Sequence, residues 1–138
     1  MILIYCVDNQ GGILFNHRRQ SQDRLLRARI LEKTAHSRLW MSPYSAKQFQ
    51  QEAGPQVRVS EHCLEEAAPG EYCFLETPDL PEDLGRIQQV ILYRWNRDYP
   101  ADVFCPLDFT RFRRTAAAEF AGSSHKTITE EIYIPCEP

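Results

Sequence analysis

Residues 7–23 read VDNQGGILFNHRRQSQD, Val7 to Asp23, and this stretch decides the fold. It follows ILIYCV at 2–7, a run apolar except for the Tyr5 hydroxyl, which suits a strand buried on both faces. Asp8-Asn9 and Gly11-Gly12 end that strand with turn chemistry. A polar and basic loop follows over 9–22. Ser21 then predicts the N-cap of a helix over roughly 22–35, with Asp23 in its first turn complementing the positive end of the helix dipole. In an α/β protein, a loop running from strand to helix is a usual place for a ligand.

Outward from this stretch the pattern alternates. On the helix, Leu26, Ile30 and Lys33 share a stripe that Leu25 and Leu31 widen, while Arg24, Arg27 and Arg29 fall elsewhere. Arg38–Met41 predicts a short strand. Ser42-Pro43 predicts the cap and first position of a second helix over roughly 44–52, which Gly54-Pro55 breaks. Val57–Val59 is a strand, and 62–68 a short helix stopped by Pro69-Gly70. Tyr72–Leu75 is a buried strand, followed by a turn or short helix from Pro78 to Leu84. QVILYRW at 89–95 is the strongest strand in the chain, rich in β-branched and aromatic residues. A loop is predicted over 98–106. Strands over 110–120 and 127–134, joined through Gly122-Ser123-Ser124, predict an antiparallel hairpin. The order implies an α/β fold, a three-layer α/β/α sandwich with a mixed sheet and an antiparallel C-terminal edge.

A length of 138 residues predicts one domain, 1–138, with enough chain to bury a core without staples. The net charge of -3 offers no general attraction to nucleic acid or a membrane surface. No apolar run approaches the length of a membrane span, and MILIYCVD is too short an apolar stretch for a signal peptide. The five cysteines are odd in number and lack a C-x-x-C, which argues against a disulfide framework or zinc ribbon. Cys6, Cys73 and Cys105 lie in apolar runs as small hydrophobes. A reducing, cytoplasmic setting is expected.

These elements and their local motifs resemble dihydrofolate reductase. That family opens with an apolar strand, Val-Asp, a Gly four residues on, a mobile loop and an Asp at the first helix. The matching residues are Val7-Asp8, Gly12 and Asp23. Tyr72–Leu75, Pro78–Leu84 and Val90–Trp95 are similar to its later strand, short helix and long strand. Asp102 and Pro106 match an Asp and a Pro in the next loop. The tail AEFAGSSHKTITEEIYI looks like its closing hairpin, Ser-His dipeptide included.

The resemblance also implies losses. Leu75 and Glu76 stand where the family has two glycines that let backbone approach a cofactor pyrophosphate, and a carboxylate there repels it. Ser42-Pro43-Tyr44-Ser45 replaces its phosphate-holding Gly-Arg-x-Thr, leaving the Ser45 hydroxyl and, further on, Lys47. The Pro-Trp of the mobile loop gives way to His17-Arg18-Arg19. Pro55 stands in place of the Arg that pairs with the folate tail, with Arg58 nearby. Both halves of the reductase site are affected, so no cofactor is expected and NADPH in particular is disfavoured.

The substrate-binding residues implied are Asp23, Arg24, Arg27, Tyr93 and His17. Asp23 matches the acid that anchors the pterin ring, or is simply a first-turn Asp. Arg24 and Arg27 replace apolar pocket residues and imply an anionic small molecule, such as a phosphorylated metabolite or nucleotide, or else they are solvated. Tyr93 is a pocket hydroxyl or a core strand residue. His17, His36, His62 and His125 lack metal-binding spacing, so no metal is expected. Ser123 and Ser124 precede His125, but no orienting acid is evident, which favours a turn. The leading expectation is a dihydrofolate reductase-fold protein that binds a small anionic ligand between the 9–22 loop and the first helix. Two alternatives stay open. One is an NAD(P)H-dependent reductase of altered specificity. The other is a nucleic-acid or protein interaction module on the basic 17–29 face, though nucleic acid is not expected. Whether a reaction is catalysed stays open, as does a homodimer through an exposed edge strand.

Overall fold

The fold, given by a computed structural model that describes residues 1–136, is a mixed sheet built outward from β1 (Ile2–Val7). β1 pairs in parallel with β6 (Tyr72–Phe74) on one side and β7 (Gln89–Arg94) on the other. Next to β6 lie β4 (Leu39–Met41) and β5 (Val57–Val59), both parallel. Beyond β7 lies β10 (Ile128–Pro135), antiparallel, and then β9 (Phe112–Phe120) at the edge. The seven strands run in the order β5-β4-β6-β1-β7-β10-β9. The antiparallel C-terminal hairpin is therefore as the sequence implies.

The continuously apolar β1 is explained by burial on both faces. Leu3, Tyr5 and Val7 join one core cluster with Cys73, Val90 and Leu92. Ile4 joins the other with Phe74, Ile91 and Tyr93. Successive side chains alternate between the faces, so every second residue serves each layer. α1 (Arg24–Lys33) covers the second face through Leu26 and Ile30, with Phe49 beside it. The first face is covered by the one-turn α3 (Cys63–Glu66), by Leu80, Leu107 and Phe109 from loops, and by Ile13 and Leu14.

Several expected elements differ in detail. α1 starts at Arg24, and its N-cap is Asp23, not Ser21: the carboxylate accepts from the Leu25 and Leu26 amides. The second helix, α2, runs only over Pro43–Ala46 and tightens into a 3₁₀ turn at Lys47–Phe49. Ser42 caps it as expected, and Pro43 takes the first position. The segment over 78–84 is not a helix, and a single 3₁₀ turn forms at Leu84–Arg86. Two loops carry strands. Within 9–22, β2 (Gly12–Phe15) and β3 (Arg18–Arg19) form a hairpin, and within 98–106, β8 (Val103–Phe104) pairs with β2. Asn16 and His17 both have positive φ, 52° and 62°, which is the backbone of a two-residue hairpin turn matching the twist of its strands.

At the far edge, Arg113 to Glu119 of β9 are exposed. The register with β10 shifts between Ile132 and Tyr133 and leaves Thr115 without a partner, an irregularity that blunts an edge against further strand addition.

Candidate functional site

The carboxyl ends of β1, β6 and β7 open toward the β2–β3 hairpin and the start of α1. This is the crevice in which open α/β sheets bind ligands. Gly12 lets the hairpin approach closely: a Cβ there would meet Ala101, Asp8 and the Gln20 amide. Asp8 organises the bend, accepting from the Gln10 and Gly12 amides at 2.8 and 2.9 Å and from Gln20 Nε2 at 2.8 Å. The Asn16 amide donates to Asp102 at the hairpin tip.

An ionic clasp then fastens the hairpin across the crevice. Arg19 donates through Nε and Nη2 to the Glu76 carboxylate at 2.9 and 3.1 Å. Ser45 Oγ donates to the same carboxylate at 2.8 Å, and the Arg19 guanidinium lies over the Tyr44 ring. A cavity of about 20 Å³ remains behind the clasp, room for about one water molecule. Its walls include Cys6, Leu26, Phe49 and Trp95, and its polar groups come from Gln20, Ser21, Arg27 and Gln48. Gln20 Oε1 and Gln48 Nε2 are buried and have no hydrogen-bond partner.

Beside the cavity lies a second, fully satisfied centre. Asp23 Oδ1 accepts from Leu25, Leu26 and Ser123 amides, while Oδ2 accepts from the Ser124 amide at 2.9 Å. His125 Nδ1 lies 2.9 Å from Oδ2, with both side chains almost wholly buried, 2% and 0% exposed. His125 Nε2 faces Ser21 Oγ at 3.0 Å and the Tyr99 hydroxyl at 2.9 Å. Trp95 stacks on the imidazole at 4.4 Å. Burial acts to raise the Asp23 pKa, but the Ser123 and Ser124 amides and His125 outweigh it and hold the carboxyl well below its usual range.

The residues implied by sequence are only partly brought together. Asp23 is at the start of α1, but its oxygens are occupied by amides and His125. Arg27 lines the cavity and pairs with Glu52 at 3.0 Å. Arg24 is exposed, and His17 is exposed at the hairpin turn; neither lines the cavity. Tyr93 is fully buried and donates to Glu130 at 2.7 Å, away from Asp23. Burial and the nearby Glu130 push its hydroxyl pKa well up, so it remains a donor. Of the five arginines between 17 and 29, Arg19, Arg27 and Arg29 pair with Glu76, Glu52 and Glu130, which breaks up a continuous basic face.

His125, Tyr99, Gln20 and Gln48 were not legible as site residues. The available signal was the Ser-His dipeptide in the tail, whose acid lies 102 residues upstream. No group of three or more His, Cys, Asp or Glu is placed to hold a metal ion among the described residues.

The architecture and its crevice define a dihydrofolate reductase-like fold. In particular, the chain is similar to a dihydrofolate reductase from Enterococcus faecalis complexed with NADP(H) and RAB-propyl. The TM-score is 0.69 at 14% sequence identity, covering 99% of this chain and 96% of that one. No protein-family model and no curated protein sequence matches the chain.

Proposed function

We propose that this dihydrofolate reductase-fold chain holds a small anionic ligand in the crevice between the β2–β3 hairpin and α1, and does not reduce folate with NADPH. The observation that carries this function is the pair of buried, unpartnered amide atoms, Gln20 Oε1 and Gln48 Nε2, on one cavity. Each unmade bond costs about 1–3 kcal/mol, and because the cavity holds only about one water, a larger ligand reaches these atoms by parting the Arg19–Glu76 clasp. Arg27 is the cation for the ligand. Its partner Glu52 is the more exposed of the two, 28% against 14%, so an incoming anion competes with Glu52 for the guanidinium from the solvent side. The Glu76 carboxylate, fastened to Arg19 and Ser45, occupies the position that the family keeps as glycine for a pyrophosphate. That arrangement supports a ligand other than NADPH.

The five free cysteines support a reducing compartment such as the cytoplasm. No helix among the described residues is long and apolar enough to cross a membrane.

Thermal-shift measurement against inorganic phosphate, ribose 5-phosphate, AMP, folate and NADPH tests the function. A phosphorylated small molecule raises the melting temperature, and Arg27→Leu abolishes the rise. Strong stabilisation by NADPH overturns the proposal in favour of a reductase. Stabilisation by oligonucleotides alone, abolished by salt, overturns it in favour of an interaction module.

A further inference from the structure

We propose that Ser21 is a nucleophile activated by His125, with Asp23 as the positioning residue, so that the crevice transfers a small acyl group from an ester to water. This rests on the crevice being a ligand site, as proposed above, but it adds a reaction there.

Three distances carry the inference. Ser21 Oγ lies 3.0 Å from His125 Nε2, and His125 Nδ1 lies 2.9 Å from Asp23 Oδ2. Both fall within the range for a nucleophile held to its base and a base held to its orienting acid. Because Asp23 accepts at Nδ1, the neutral ring carries its proton there and leaves the Nε2 lone pair for a hydroxyl. Tyr99 donates to Ser21 Oγ at 3.4 Å. Nε2 also lies 2.9 Å from the Tyr99 hydroxyl, so Ser21 donates to the base when the Tyr99 hydrogen is turned toward Ser21 Oγ.

The surroundings suit the chemistry. The imidazole and carboxylate are sealed from solvent, and Trp95 fixes the ring plane from one side. Ser21 itself is only partly buried and lines the cavity that also holds the unpartnered Gln48 Nε2. That amide shares the cavity with Ser21 and has no other hydrogen-bond partner, so it is the donor proposed for a developing oxyanion. The cavity of about 20 Å³ has room for the hydrolytic water beside Ser21.

In the first half-reaction, Ser21 Oγ bonds to the acyl carbon while the ester C–O bond breaks. The Oγ proton passes to His125 Nε2 and then to the departing alcohol. In the second, His125 takes a proton from water as the water oxygen attacks the acyl-serine. The carboxylic acid leaves and that proton returns to Ser21 Oγ. Water is the only co-reactant.

The full chain is incubated with an alkyl fluorophosphonate, and the modified peptide is mapped by mass spectrometry; p-nitrophenyl acetate turnover is followed in parallel. The expected label is on Ser21. Ser21→Ala removes it, and His125→Gln slows it about 100-fold or more in a protein that still melts cooperatively. Ser21→Cys, which keeps a nucleophile beside the same base, becomes the thiol most rapidly alkylated by iodoacetamide. An unlabelled folded wild type, a label on another residue, or Ser21 labelling undiminished in His125→Gln overturns the proposal. Binding is scored separately by ribose 5-phosphate stabilisation of the wild type. Stabilisation with no labelling of the wild type sinks only the reaction, whereas loss of both sinks the ligand site as well.

Discussion

His125 Nδ1 lies 2.9 Å from Asp23 Oδ2, joining the first turn of α1 to the β9–β10 connection across 102 residues of sequence. The Asp23 carboxylate thereby caps a helix, binds the Ser123 and Ser124 amides and orients an imidazole. It has no oxygen left for a pterin ring. Asp23→Asn keeps an acceptor for the helix cap but loses the charge and turns an NH₂ group toward amide donors. A loss of about 2–3 kcal/mol is expected from charge-assisted bonds of this kind, measured by urea unfolding.

Acid weakens the same region. The Asp23 carboxyl is lowered below its ordinary value of 3.8. The Glu130 and Glu131 carboxyls are lowered below 4.5: burial opposes this, but bonds from Arg29 and Tyr93 to Glu130 and from Arg94 to Glu131 prevail. A depressed folded pKa adds stability that is complete above the unfolded value and is lost as pH falls toward the folded one. Stability is therefore expected to hold above about pH 5 and to decline below it. The decline is shallower in Asp23→Asn, which urea unfolding across a pH series will measure.

Gly122 is needed for close approach rather than for its backbone angle. A Cβ there would meet Asp23 Oδ2 and, at 2.9 Å, the His125 carbonyl oxygen. Gly122→Ala therefore pushes the serine loop off the carboxylate. The expected result is a drop in stability of about 1–3 kcal/mol and weakened protection of the Ser123 and Ser124 amides in hydrogen exchange.

His17 acts through its backbone. Its φ of 62° is left-handed, and its side chain is exposed at the hairpin turn. His17→Gly is expected to raise stability by about 0.5–1 kcal/mol, because an Asn-Gly pair suits this turn. It leaves every ligand-induced thermal shift unchanged. A lost shift would put the imidazole in the ligand site after all.

The central sheet was legible because its strands carry their burial in composition: ILIYCV reads as buried on both faces and QVILYRW as the strongest strand, and the two occupy adjacent central positions. The β2–β3 hairpin was missed because Asn16-His17 lacks the glycine that usually marks such a turn. The helix cap lies at Asp23, two residues after Ser21, because both are good caps and tertiary contacts divide them: Asp23 holds the α1 amides while Ser21 faces His125. Arg27, which the resemblance singles out, lines the cavity, while Arg24, singled out with it, is exposed. The acid for His125 and the unpaired amides of Gln20 and Gln48 depend on contacts between distant segments and leave no local pattern.

The ligand crevice is tested most directly by following the side-chain amide resonances of Gln20 and Gln48 and the Arg27 Nε resonance of ¹⁵N-labelled chain during titration with ribose 5-phosphate. The three are expected to shift together and saturate with one affinity, while NADPH moves none of them. Saturable shifts of the same resonances with NADPH, or no response of Gln20 and Gln48 to a ligand that stabilises the protein, would contradict the account.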